Sequence, residues 1–370
     1  ATAEPVAAAE PAPLPPELQG TAPSDIWQRL KFEADGRVRG ESTFDQPNGV
    51  DRHRGRLRFR VGGTYQVMEG VTAGARLTTV SDSRDANNPH WDFGDTSTGG
   101  SDSFTGSEVG IDRVYLDWAA LENLNVGAGK FGDPYSRPPI TSEFAWDNDV
   151  QPAGAYGTWK PKKDGKLGFD VRGVAGVAAE VNAVGTSGTD AVFVGAQGNL
   201  YFDLTEAMQL QASTSYTDWS GLSNFTLSQG NTLAAGGFSI WDSFVSATHK
   251  GGALGQIRGY GQYLLNMDDD SGEDTGFTLG AQVGKTSGKG ALNGFAAFYT
   301  LDANCLFSAV AQDDTPIAGT GNGTGMDGFL VGGQYFIRDN FSVRLWALTS
   351  DADAADDPYR IRLDFDFRVL

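Results

Sequence analysis

A single cysteine, Cys305, stands among the 370 residues, so neither an intramolecular disulfide framework nor a cysteine-based metal cluster can hold this chain together. Its expected place is a loop, without a role. Histidine is almost as scarce: His53, His90 and His249 are too widely spread for spacing to suggest a nucleophile and base or a metal set. An enzymatic reading therefore has little to rest on. No apolar run approaches the roughly 18 residues that a membrane-crossing helix needs, and mean hydropathy is -0.31. That absence says nothing against crossing strands, which need only about 9–11 residues each and alternate apolar with polar side chains. Basic residues are few, with 28 Lys plus Arg against 47 Asp plus Glu and a formal net charge of -19. Nucleic acid is excluded as a partner, because phosphate contact requires a basic surface.

What the chain does have is glycine, 50 residues of it, together with 11% aromatic residues. Glycine weakens helices and strand interiors but suits crowded walls and tight turns. The clearest pattern is an alternation of period two, which places one face against an apolar medium and the other against water. In DPYRIRLDFDFRVL (357–370), Tyr359, Ile361, Leu363, Phe365, Phe367 and Val369 oppose Arg360, Arg362, Asp364, Asp366 and Arg368. In WQRLKFEADGRVRG, beginning at Trp27, Leu30, Phe32, Ala34 and Val38 oppose Lys31, Glu33, Asp35, Arg37 and Arg39. In GRLRFRVGGTYQV, Leu57, Phe59, Val61, Tyr65 and Val67 oppose Arg56, Arg58, Arg60 and Thr64. Turning those three arginines toward lipid would cost about 2–4 kcal/mol each at the bilayer midplane, so they must face a lumen. Similar segments recur to the C-terminus, giving about 16 strands. Short turns, such as Met68-Glu69-Gly70 and Arg338-Asp339-Asn340, alternate with longer polar connections, of which the third runs from Asp133 to Pro152. This sorting fits a transmembrane antiparallel up-and-down β-barrel with both termini on one side.

The strand count, the terminal strand, and NVGAGKFG leading into GDPYSRPPITSEFAWDNDVQPAG resemble the general porins of Gram-negative outer membranes, and more closely the putative porin family. The resemblance covers roughly residues 27–370. It implies a 16-stranded barrel with an inward-folded third loop and a homotrimer among outer-membrane lipid and lipopolysaccharide. It also implies passive diffusion of small hydrophilic solutes and ions, with no cofactor. The expected domains are an Ala/Pro-rich periplasmic extension over 1–25 and the barrel over 26–370, with a secretory signal already removed before Ala1. Carried over to this chain, the acidic side of a pore constriction is Asp133, Glu143, Asp147 and Asp149. The basic wall is Arg37, Arg39, Arg54, Arg56, Arg58 and Arg60, with Arg76 and Arg113 on neighbouring strands. Opposed charges across a narrow gap filter solutes by size, charge and dipole. The alternative for each of these charges is simple solvation of the lumen wall.

Other features carry less. The small residues Gly127, Ala128 and Gly129 are expected to let neighbouring barrels approach closely. Trp346 shares a face with Arg344 and is expected to point inward. The acidic run holding Asp268, Asp269, Asp270 and Glu273 offers oxygen ligands of the kind that bind Ca2+, without EF-hand spacing. A solvated loop is the preferred account of it. Two rival functions stay open at this point: a substrate-specific channel for phosphate or carboxylate anions, and a soluble or surface-anchored β-rich binding protein.

Overall fold

The computed structural model describes residues 23–45, 49–80, 91–92, 108–140, 144–163, 165–180, 189–222, 230–232, 237–252, 254–312, 314, 323–351 and 358–369. The expected extension thus lies almost wholly outside the described residues. The first element is a short helix, α1 (Pro23–Arg29), whose opening Pro, Ser and Asp are residues that favour helix starts. Trp27 therefore sits in this helix, and the strand alternation begins three residues later than its pattern suggests.

Seventeen strands follow in one sheet: β1 (Leu30–Phe44), β2 (Arg52–Met68), β3 (Val71–Val80), β4 (Trp91–Asp92), β5 (Glu108–Leu121), β6 (Leu124–Lys130), β7 (Ala153–Trp159), β8 (Leu167–Ala179), β9 (Ala191–Asp203), β10 (Met208–Ser220), β11 (Phe238–Lys250), β12 (Gln256–Asn266), β13 (Thr275–Gly284), β14 (Leu292–Leu301), β15 (Met326–Arg338), β16 (Phe341–Thr349) and β17 (Tyr359–Val369). Sixteen of them form the wall. The two-residue β4 lies beside β2 at Arg56 and Leu57, beyond the point where β3 ends. Neighbours pair antiparallel, and β17 returns to β1 in a register running from Ala34↔Val369 to Phe44↔Tyr359. The ring is closed, leaving no free edge to template aggregation.

Burial runs opposite to that of a water-soluble protein. Along β17, Arg360, Arg362 and Asp364 are buried, whereas Ile361, Leu363 and Phe365 are exposed. Phe59, Leu77, Ile111, Leu116, Val245, Phe329, Val331 and Leu345 likewise present bare apolar surface outward. Alternation of this sign suits a wall with hydrocarbon outside and charge inside. Spin labels at Leu345, Val331 and Leu363 are accordingly expected to be reached by oxygen from a bilayer, and labels at Gln334 and Gln282 by a water-soluble relaxant. Uniform access by the water-soluble reagent would mean that the outer wall does not meet lipid.

The barrel interior is filled on one side. Phe131, Tyr135, Phe144 and Trp146, from the β6–β7 connection (131–152), pack against Phe193 of β9, Trp219 of β10, Phe238 of β11 and Tyr299 of β14. Leu306 and Phe307 of the β14–β15 connection join the same cluster, with Cys305 buried among them. Close approach of the first connection depends on Gly195 of β9, where an added Cβ would lie 1.9 Å from the Tyr135 hydroxyl. Gly127 also differs from its expected role in barrel-to-barrel contact. A Cβ there would strike the Tyr156 ring, which is packed against the interior cluster, so its missing side chain makes room inside the barrel. Ala128 and Gly129 of that trio are exposed.

Candidate functional site

Strand register assembles the basic wall. Across β1 and β2 it sets Asp35 opposite Arg60, Arg37 opposite Arg58, Arg39 opposite Arg56, and Glu41 opposite Arg54. Across β1 and β17 it sets Arg37 opposite Asp366, Arg39 opposite Asp364, and Glu41 opposite Arg362. Opposite charges facing each other across a ladder stabilise the pairing, and like charges oppose it. Arg39 donates twice to Asp364, at 2.6 and 3.1 Å. Arg37 donates to Asp366 at 2.7 Å. Glu41 accepts from Arg54 and Arg362, each at 2.5 Å, with Arg56 and Arg360 also within ion-pair reach. Asp92 of β4 accepts from Arg54 at 2.6 Å and Arg56 at 2.8 Å. Arg76 pairs with Asp112, and Arg113 donates to the Gln151 amide at 2.6 Å.

The like-charged pair Arg37 and Arg58 creates a local need for a further carboxylate, and the β6–β7 connection supplies it. Asp149 accepts from Arg58 at 2.9 Å and from Arg60 at 3.1 Å. Burial alone would raise the Asp149 pKa, but Arg58, Arg60 and Arg37 outweigh it and hold the carboxyl below its usual range. Asp147 positions this contact by accepting the Asp149 backbone N–H at 2.7 Å. Of the four acidic loop residues singled out in the sequence, the structure brings Asp149 onto the basic wall. Asp133 lies elsewhere, paired at 2.6 Å with Arg137, which also reaches Asp242 of β11 at 3.3 Å. Arg137 is further held over the rings of Tyr135 and Trp146. Glu143 falls outside the described residues.

A second connection turns inward as well, and sequence reasoning missed it. Residues 302–312 and 314 of the β14–β15 connection cross to β17, where Asp314 forms an ion pair with Arg362 and its carbonyl accepts from Arg360 at 2.6 Å. The pKa of Asp314 also lies below the usual range, because Arg362 and Arg39 overcome the effect of its burial. The two inward segments touch where the Asp147 N–H donates to the Val310 carbonyl at 2.8 Å. Asparagines anchor the second segment: Asn231 bonds the Ala303 and Leu306 carbonyls and the Ser308 N–H. Asn304 donates to Asp269 at 3.0 Å. Asp269 also accepts from both the backbone and the hydroxyl of Ser271, so this carboxylate fastens loops together. Among the described residues, no group of three or more His, Cys, Asp or Glu side chains is placed to hold a metal ion.

Trp346 points inward, as expected, and is surrounded by guanidinium groups. Arg344 lies 4.6 Å from its ring centroid, Arg362 4.8 Å and Arg39 5.6 Å, while its Nε1 donates to Asp364 at 3.0 Å. In place of two charged rings facing each other across water, Asp149 and Asp314 touch the basic wall directly. The open space lies to one side. A cavity of about 230 Å³ separates the first inward segment, at Ile140, Phe144 and Asn148, from the inner faces of β13–β16.

A water-accessible gap within a closed, outwardly apolar barrel, bordered by charged and polar side chains, can pass small polar solutes while the wall excludes lipid. Known proteins agree with this architecture. The family described as Putative porin matches residues 45–263, more than half of the chain. No curated protein matches. Among solved structures, OprB of Pseudomonas putida, determined at high pH, is similar with a TM-score of 0.57 and 12% identity, over 92% of this chain and 94% of that one. A mutant porin of Rh. blastica is 14% identical over 91% of this chain and 100% of its own, with a TM-score of 0.49. The OprB likeness shows a shared fold, and the family match shows membership: this chain belongs to the Putative porin family.

Proposed function

We infer that the protein is a porin of the bacterial outer membrane that lets small hydrophilic solutes and ions diffuse down their gradients. The observation that carries this reading is the inverted burial of the closed barrel, with charge and polar space inside and bare apolar surface outside. Family membership supports the same localisation, assembly as a homotrimer, and contact with lipopolysaccharide at the outer rim. Passage needs no chemistry and no cofactor.

The wall also supports a sign of selectivity. Among the described residues, twelve guanidinium groups (Arg37, Arg39, Arg52, Arg54, Arg56, Arg58, Arg60, Arg76, Arg113, Arg344, Arg360 and Arg362) are set against eight carboxylates (Asp35, Glu41, Asp92, Asp112, Asp149, Asp314, Asp364 and Asp366). The local surplus is positive although the whole chain is acidic, and it favours anions. Purified folded protein is expected to give stepwise conductance in planar bilayers, with a reversal potential of anion-selective sign in a salt gradient. Silent bilayers with verified folded barrel would refute the channel.

A further inference from the structure

Lysine and arginine are segregated in this barrel. Arginines fill the lumen, whereas eight of the nine lysines, all but Lys130, lie at or beside the rim of short turns. Some are already paired, Lys162 with Glu122 at 2.6 Å and Lys163 with Asp203. Lys250, Lys285 and Lys289 are exposed, and among the described residues nothing accepts from their ammonium groups. The three are neighbours. Lys250 ends β11, and the Lys285 stem crosses the turn that follows it, where a Cβ on Gly255 would lie 2.9 Å from Lys285 Cγ. Lys289 occupies the next turn, with its backbone N–H donating to Asp339 at 2.6 Å. Besides the paired Asp203, the turns from β9 to β16 carry Glu206 and Asp339 against Lys166, Lys250, Lys285, Lys289 and Arg338, so this arc of the rim is positive.

Next to these lysines the outer wall is scooped out. Register sets Ala247, Gly259, Ala281 and Ala296 side by side on the outward faces of β11–β14. Larger side chains, among them Val245, Leu279, Phe298 and Phe329, border the resulting trough of about 1050 Å³. Its floor is open: a Cβ on Gly259 or Gly261 would meet no atom nearer than 3.7 or 3.9 Å, respectively. Ala281 and Lys285 share the outward face of β13 and lie about 13 Å apart along the strand, within one leaflet of a hydrocarbon core about 30 Å thick.

We propose that trough and rim together bind an anionic phospholipid, its acyl chains over Gly259, Ala281 and Ala296 and its phosphate among Lys250, Lys285 and Lys289. The site goes beyond solute passage and rests on the outer wall meeting lipid. A phosphate oxygen can only accept and an ammonium group can only donate, so the headgroup supplies what the three lysines lack. A zwitterionic headgroup brings its own cation to the same place and gains less. A second barrel is a poorer occupant of the trough. Crossing the membrane in the same orientation, it would present its own lysine rim at the same depth, and like charges would meet.

The test offers full-chain protein in mild detergent an equimolar mixture of phosphatidylglycerol and phosphatidylcholine and counts the retained lipids by native mass spectrometry. Phosphatidylglycerol is expected to be retained in preference. Replacing Lys250, Lys285 and Lys289 with glutamine, singly and together, is expected to lower that preference about fivefold per lysine. Lys162→Gln, whose charge is held by Glu122, should leave it unchanged. Gly261→Leu with Ala281→Leu fills the trough from outside and should reduce retention of phosphatidylglycerol while conductance steps stay as they were. Equal retention of the two lipids, or a preference that survives the triple lysine variant, would overturn the site. So would disulfide-linked barrels formed through Gly261→Cys in place of lipid retention, which would assign the trough to a second copy. Normal channels from protein that shows no lipid preference would overturn this inference and leave the porin reading standing.

Discussion

Replacing Glu41 with alanine is expected to lower the unfolding free energy of the barrel by about 3–5 kcal/mol, the usual cost of removing one partner from a buried ionic cluster. Glu41 is 3% exposed and accepts from Arg54 and Arg362, with Arg56 and Arg360 close behind. Its loss leaves several guanidinium groups crowded together, two of them on β2 and two on β17, with Asp92 and Asp314 as their remaining counter-charges. The penalty comes from stranded positive charge in a dry interior far more than from one lost hydrogen bond. Urea unfolding in detergent would measure it. A change below about 1 kcal/mol, the level of an exposed pair, would mean that water reaches this cluster freely.

The second large effect concerns ion selectivity. Asp149→Asn with Asp314→Asn removes the two carboxylates that the inward segments bring to the basic wall. Permeability is expected to shift severalfold further toward anions, seen as a larger anion-directed reversal potential at low salt. Arg58→Gln with Arg60→Gln should move it the opposite way. Asp133→Asn should have little effect, because Asp133 sits with Arg137 and Asp242 away from this wall. All shifts should shrink toward 1 M salt, where the Debye length is about 3 Å. An unchanged reversal potential in both charge pairs would place the selective constriction elsewhere. Acid gives a related check on Asp149 and Asp314. Their carboxyl groups are held below the usual range, so the docking energy they supply is complete above the ordinary carboxylate pKa and fades only as pH falls through the depressed values. Mild acid should leave the segments docked.

The architecture was legible because alternation is local: each crossing strand announces itself in about ten residues, and the arginines of β2 can face only one way. Within the site, the same pattern identified Arg56 and Arg58 as inward. The partners of those arginines were not legible. Pairing Arg39 with Asp364 joins residues 325 positions apart and needs the closing register. Asp314 lies in a connection with a single proline, Pro316, against the four that drew attention to residues 133–152, and its approach to Arg362 depends on asparagine anchors from other loops. Asp133 and Asp149 looked equivalent in sequence, yet Arg137, four residues beyond Asp133, captures the first. Gly127 offered space that could have served either face, and only the position of Tyr156 decides it.

The charges that line the lumen are also the seam of the ring. Arg37, Arg39 and Glu41 belong to the first strand, whereas their partners Asp366, Asp364 and Arg362 belong to the last. During synthesis the first strand must wait for the whole chain before those charges are neutralised, and such distant contacts make slow folding steps. Until then its edge presents Arg37 and Arg39 without the carboxylates of the last strand, a poor template for stray strands seeking a partner. The filter is thus also a latch. It protects the nascent edge from mispairing, and once the last strand arrives it ties the first and last strands of the barrel together.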